Sequence, residues 1–305
     1  YRVDMLAFAE AILNIKPPVS YTVTTVAGTT ITDKDFGFVS TTAVQALSSD
    51  DLITGTTYGE ILRGGSGSDQ IIGGAGDDIM VGDDGSDLAG DGADTMLGGT
   101  GTDTLLGSGG NDIMFGNDGN DTLAGGEGND ILFGNNGDDD TASTVGENTL
   151  VGEAGDDIII GGQHRDFIGG GTGNDYLEGR QGDDIYFFED DFGQDILNDS
   201  LGSDYVSFSN ASSNQLWFWQ SNDDLNIGVI NTDDKLTVQN WYVDDNAKVE
   251  AFGAAADGSY ILEGQVQKLV EAMASYSAPS GGSLDVPQEM QDEVQSVIAT
   301  SWQAA

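Results

Sequence analysis

The sequence predicts an all-β protein, a parallel β-roll solenoid of nonapeptide repeats followed by a small antiparallel β cap and C-terminal helices. Three observations carry this. Glycine and aspartate recur every nine residues between 64 and 187, alternating apolar residues replace that period afterwards, and from Gly264 apolar residues return at helical spacing. These shifts place an N-terminal helix and strands at 1–45, the roll at 46–187, the cap at 188–263 and a helical tail at 264–305.

Composition narrows the chemistry. The chain has 305 residues, with 53 Asp or Glu against 9 Lys or Arg, a net charge of -44, no cysteine and one histidine. Such a polyanion repels nucleic acid and anionic lipid, so cations are its expected partners. Without cysteine, and with His164 as its single imidazole, it has no donors for a thiolate or histidine zinc site. Oxygen donors remain, and they suit hard cations, above all Ca²⁺. No segment reaches the roughly 20 apolar residues of a membrane span.

The first segment, 5–13, is apolar but short, carries Glu10 and follows Asp4, which makes a poor secretory signal. Its Met5, Phe8, Ile12 and Ile15 form one stripe of a short helix that Pro17-Pro18 ends. The stretch from Tyr21 to Ser40 is rich in Thr and Val and reads as strands, either an N-terminal cap or a linker. The chain opens on Tyr1, as expected of a processed product or a piece of a longer protein.

The repeat begins with Gly64-Gly65-Ser66-Gly67-Ser68-Asp69-Gln70-Ile71-Ile72 and can be followed through fourteen units, eleven of which keep glycine in the first and fourth places and aspartate in the sixth. The exceptions are a shortened unit at Asp91, the unit at 143 with Asn148 in the sixth place, and the unit at 161 with His164 in the fourth. Weaker units stand upstream, with Asp51 and Ile53, and with Glu60 and Leu62. Six Gly- and Asp-rich residues make a tight turn. Three residues with an apolar centre make a short strand whose middle side chain points inward. Two units close a coil of eighteen residues. The core is then Ile71, Met80, Ala89, Met96, Leu105, Met114, Leu123, Leu132, Leu150, Ile159, Ile168, Leu177 and Tyr186.

That core is thin against about 1–2 kcal/mol of backbone entropy per residue. Stacked coils also pile sixth-place carboxylates into columns, at about 1–4 kcal/mol per like-charged pair. A divalent cation between coils reverses that sign, so metal binding and folding become one equilibrium.

The units resemble the RTX, or haemolysin-type calcium-binding, nonapeptide repeat GGxGxDxUx. The resemblance implies a Ca²⁺ ion between turns eighteen residues apart. Its ligands are second- and fourth-place carbonyls of one turn, first- and third-place carbonyls of the other, and the sixth-place aspartates. Carried onto this chain, one edge has Asp69, Asp87, Asp103, Asp121, Asp139, Asp157 and Asp175, with backbone ligands at Gly65, Gly67, Gly82, Gly85, Gly98, Gly101, Gly116, Gly119, Gly134, Gly137, Gly152, Gly155 and Gly170. This edge is expected to hold about six ions. The opposite edge keeps one intact pair, Asp112 with Asp130, and Asp78, Asp94 and Asp184 join partial sites, so it is expected to hold fewer. Solvated Asp-Gly loops would not keep such a period. His164 reads as a degenerate turn residue, and no HExxH or GxSxG motif points to an enzyme.

Beyond Phe187, Leu216-Trp217-Phe218-Trp219, Leu225–Val229 and Lys235–Val238 alternate as hairpin strands, and Trp217, Trp219, Trp241 and Tyr242 read as cap packing rather than a sugar platform. Val266, Leu269, Val270 and Met273 share one helical face; Met290, Val294, Val297 and Ile298 share another. Val238-Gln239-Asn240-Trp241-Tyr242 and Thr300-Ser301-Trp302-Gln303 resemble the tail of type I-secreted RTX proteins. This implies an uncleaved C-terminal export signal and, as a transient partner, the type I secretion machinery.

The expected function is a calcium-triggered folding module of a secreted or cell-surface bacterial protein. Two alternatives stay open: a surface-layer, adhesin or fibre subunit assembled by calcium, with self-association or cell-surface contact, and the carrier end of a secreted enzyme whose catalytic domain lies upstream.

Overall fold

A computed structural model describes residues 21–24, 30–31, 42–45, 50–83, 92–134, 146–274 and 283–304. The helix expected at 5–15, its terminating prolines, most of the strand reading at 21–40 and the core residue Ala89 lie outside them. Among the described residues the chain alternates between two thirteen-stranded sheets, each strand of the roll pairing with one a coil away rather than with its sequence neighbour. One sheet runs in parallel through Ile61–Gly65, Ile79–Asp83, Thr104–Gly109, Thr122–Glu127, Thr149–Ala154, Phe167–Thr172 and Ile185–Phe188. The other runs through Gln70–Ala75, Thr95–Thr100, Ile113–Asp118, Ile131–Phe133, Ile158–Gly162 and Tyr176–Gly182.

The eighth-place residues from Ile71 to Tyr186 that are described are fully buried, and so are Ile53 and Leu62 of the weaker upstream units. The stacked column Leu105↔Leu123↔Leu150↔Ile168↔Tyr186 shows how one inward side chain per strand builds the core. Many strands are five or six residues long rather than the three expected, because pairing runs on into the glycines, as at Gly126↔Ser108. Glycine allows the close approach there, since a Cβ on Gly126 would sit 2.2 Å from the Ser108 carbonyl oxygen.

The coil is not uniformly eighteen residues. Ile79–Asp83 pairs directly with Thr104–Gly109, and Gln70–Ala75 with Thr95–Thr100, a step of 25. Leu123 pairs with Leu150, and Leu132 with Ile159, a step of 27. These strands are hydrogen-bonded to one another directly.

Parallel pairing also continues past Phe187. Ile185–Phe188 pairs with Tyr205–Phe208 and then Ala251–Ala254; Tyr176–Gly182 pairs with Gln194–Leu197 and then Lys235–Val238. Here Asp195 stands two places before buried Leu197, and Asp204 two before buried Val206. An insertion of two residues lengthens the step to twenty and hides the phase. Antiparallel strands then close both sheets, through Asp224–Val229 and Leu216–Ser221 on one and Ser259–Leu262 and Gln303–Ala304 on the other.

Helix α1 (Glu263–Met273) buries Val266, Leu269, Val270 and Met273, and packs on Leu216–Ser221 and on helix α2 (Gln288–Ser301), which buries Val294 and Ile298. Met290 and Val297 of the expected α2 face are partly buried. Phe218 meets Phe252 and Trp302 edge-on, and Trp241 tilts against Phe252. Trp217 and Trp241 are core residues, while Trp219 and Tyr242 pack against that core. No described helix is long and apolar enough to cross a membrane.

Candidate metal centre

Each described sixth-place residue sits at the mouth of a strand, and its side chain is held in the roll edge by the main chain of the neighbouring coil. The Oδ1 of each rung, or at Glu250 the Oε2, accepts the backbone N–H of the preceding rung. On one edge the series is Glu60, Asp78, Asp103, Asp121, Asn148, Asp166, Asp184, Asp204 and Glu250. On the other it is Asp51, Asp69, Asp94, Asp112, Asp130, Asp157, Asp175 and Asp195. The carboxylates are held in register by the sheets and cannot swing away to water.

Their second oxygens have a different fate. The Oδ2 atoms of Asp78, Asp103, Asp121 and Asp184 on the first edge, and of Asp69, Asp94, Asp130, Asp157, Asp175 and Asp195 on the second, are buried and accept no hydrogen bond. Each of the regular cells brings a main-chain carbonyl to the same place. A Cβ on Gly98 would sit 2.5 Å from Asp103 Oδ2 and 2.7 Å from the Gly116 carbonyl oxygen; one on Gly116 would sit 2.5 Å from Asp121 Oδ2 and 2.6 Å from that of Gly134. The Gly82, Gly152 and Gly170 carbonyls face the cells of Asp69, Asp130 and Asp157 in the same way, and the Gly98 carbonyl that of Asp78. Gly65, Gly67, Gly101, Gly119 and Gly155 form the turns with positive φ. At Gly119, φ is +142° and a Cβ would collide with the Gly101 carbonyl, so only glycine fits.

Burial raises the carboxyl pKa values: to about 6 for Asp69, Asp130 and Asp175, about 7 for Asp78, Asp121 and Asp157, and about 8 for Asp94, Asp184 and Asp195. Neighbouring carboxylates add to this, while the accepted backbone N–H groups oppose it. The ion pairs among the described residues, Arg165–Glu147, Arg180–Glu178 and Lys248 with Asp245 and Glu263, engage carboxylates that are not rungs. Rigid, water-excluded carboxylate and carbonyl oxygens without a basic neighbour are the donor set of a hard divalent cation. The residues fit Ca²⁺.

The edge assignment read from nine-residue counting is corrected by the register. Asp103 and Asp121 stand on one edge, but Asp69, Asp157 and Asp175 stand on the other, with Asp112 and Asp130. Gly82 abuts Asp94, and Gly134 abuts Asn148, where nine-residue counting puts Asp87 and Asp139, so the parity of the units changes at both places. Asp87, Asp139, Gly85 and Gly137 lie outside the described residues, and the described rungs run directly from Asp69 to Asp94 and from Asp130 to Asp157. The expected full and patchy edges therefore become two long, similar rows. Asp166, in the unit with His164 in the fourth place and not among the expected ligands, is a rung, though its Oδ2 accepts the Gly162 N–H. Asp195 and Asp204 were missed, and the Asp-x-apolar spacing is the signal that could have found them.

Comparison with known families agrees with this geometry. Residues 54–89, 88–123, 115–141, 143–177 and 164–192 match the RTX calcium-binding nonapeptide repeat, and 224–253 match the haemolysin-type calcium binding protein related domain. The roll is thus built of RTX haemolysin-type repeats, and the protein carries a calcium-binding module.

Proposed function

We propose that the chain is a calcium-triggered folding module of a type I-secreted protein. The observation that carries this is the pair of buried carboxylate rows in which the Oδ2 atoms of rungs such as Asp78, Asp103 and Asp121 on one edge and Asp69, Asp130 and Asp157 on the other accept no hydrogen bond. Each such charged group costs about 1–3 kcal/mol, against a net stability of about 5–15 kcal/mol for a folded domain. Without cations at neutral pH the chain stays unfolded and threadable. At millimolar Ca²⁺, extracellular-type sites with dissociation constants of about 10⁻⁴ to 10⁻³ M fill, and the roll winds. Both edges take part, since both rows run nearly unbroken from Asp51 and Glu60 to Asp195 and Asp204. The helical tail docked on the cap supplies the export signal, and the cap nucleates the roll outside the cell.

Far-UV circular dichroism of the full chain at pH 7.4, titrated with CaCl₂ and with MgCl₂ as control, tests this. A β-sheet transition confined to calcium between submicromolar and millimolar is expected. A chain already folded in excess chelator would overturn the proposal.

A further inference from the structure

The first edge ends differently from its other cells. Asp199 and Asp204 stand five residues apart, as Gly179 and Asp184 do one coil earlier, so the place taken elsewhere by a first-place glycine is held by a carboxylate. We propose that Asp184, Asp199 and Asp204 bind a divalent cation of their own at the junction of roll and cap, through side-chain carboxylates rather than glycine carbonyls.

One ligand atom from each of the three lies within 4.8 Å of the others, and their residues are 0%, 2% and 2% exposed. Proximity alone would not make a site. The independent observation is the Asp184 Oδ2, which is buried, has no hydrogen-bond partner and is aimed into this cell. The space a Cβ on Gly179 would fill is bounded by that oxygen and by the Tyr186 hydroxyl. The same hydroxyl donates to Asp199 Oδ2 at 2.8 Å and accepts the Gly179 N–H at 2.7 Å, so Tyr186 fixes Asp199 beside the cell. At Gly161, one coil earlier, a Cβ would meet the Gly179 carbonyl oxygen at 2.8 Å instead. Three carboxylates gather without a basic partner, and the number of charged ligands is what tightens a calcium site.

The position has a structural consequence. Asp204 opens Tyr205–Phe208, which pairs with Ala251–Ala254 of the closing sheet, and its N–H reaches Glu250 at 2.6 Å. An ion here staples the last coil to the cap. The identity of the ion rests on the calcium reading; the existence of the cell does not.

Two measurements test it. In crystals of the full chain grown with CaCl₂, an anomalous peak about 2.3–2.6 Å from carboxylate oxygens of all three residues is expected. Peaks in the nonapeptide cells with none at the junction overturn this inference alone, whereas no peaks anywhere overturn the calcium reading itself. By equilibrium dialysis and metal analysis, Asp199→Asn should bind one calcium fewer than the parent, and Asp190→Asn, at an exposed carboxylate, should bind the same number. An unchanged count for a folded Asp199→Asn variant overturns the proposal. If that variant fails to fold, the parent's anomalous map decides.

Discussion

Replacing Asp103 by asparagine should act in opposite directions depending on calcium. Asp103 is buried, its Oδ1 accepts the Asp78 N–H at 2.8 Å, and its Oδ2 has no partner. Asparagine keeps the acceptor, as the natural Asn148 does for the Asp121 N–H at 3.0 Å, and removes the charge. With calcium withdrawn, relief of one buried unpartnered carboxylate favours the fold by about 1–3 kcal/mol. With calcium present, one ion's linkage is lost, about 2.7 kcal/mol when calcium is 100 times the dissociation constant. The two stability curves should cross where calcium exceeds that constant by a factor of about 5 to 150, the equivalent of 1–3 kcal/mol. Urea unfolding of parent and variant across a calcium series, with free energy plotted against the logarithm of calcium, reads both the crossing and a slope lower by one ion. Parallel curves, with the variant less stable at every calcium concentration, would refute the reasoning and leave Asp103 with a packing role only.

Other expectations follow from the same rows. Carboxyls whose folded pKa lies near 6 to 8 are protonated more readily in the roll than in the unfolded chain. Their contribution without calcium is therefore fully present below about pH 4 and lost as pH rises through 6 to 8; dichroism in chelator should show structure gained on acidification, and calcium affinity should fall over the same range as protons compete. Asn148→Asp completes the one rung of its edge that lacks a carboxylate between Asp121 and Asp166, and should raise the calcium count measured by dialysis. Leu123→Ala, at a fully buried position between Leu105 and Leu150, should cost about 2–5 kcal/mol in saturating calcium without changing the number of ions bound.

The architecture was legible because the repeat writes its geometry locally. Gly98, Asp103 and Leu105 each declare a turn, a rung and a core position within eight residues, and stacking follows. Edge membership was not legible in the same way, since it depends on counting half-coils across 84–91 and 135–145. A unit such as that at 134 satisfies the glycine and aspartate template, yet the rungs and core residues on either side of it pair directly, Asp130 with Asp157 and Leu132 with Ile159, so counting template units alone assigns the wrong edge. Past Phe187 the difficulty was reversed: the glycines thin out while Asp195 with Leu197, and Asp204 with Val206, keep the rung and the core, so parallel pairing outlasts the motif. The junction around Asp199 was illegible because its partner Tyr186 comes from another coil through a hydrogen bond that no spacing foretells.

Amide hydrogen exchange addresses the central claim most directly, residue by residue. The N–H groups of Asp103 and Asp157, donated to Asp121 and Asp175 across one coil, report the two rows independently. In millimolar calcium both should be protected together, and in chelator at pH 7.4 both should exchange at the rate of an unfolded chain. Protection that survives the chelator in either row would contradict the account.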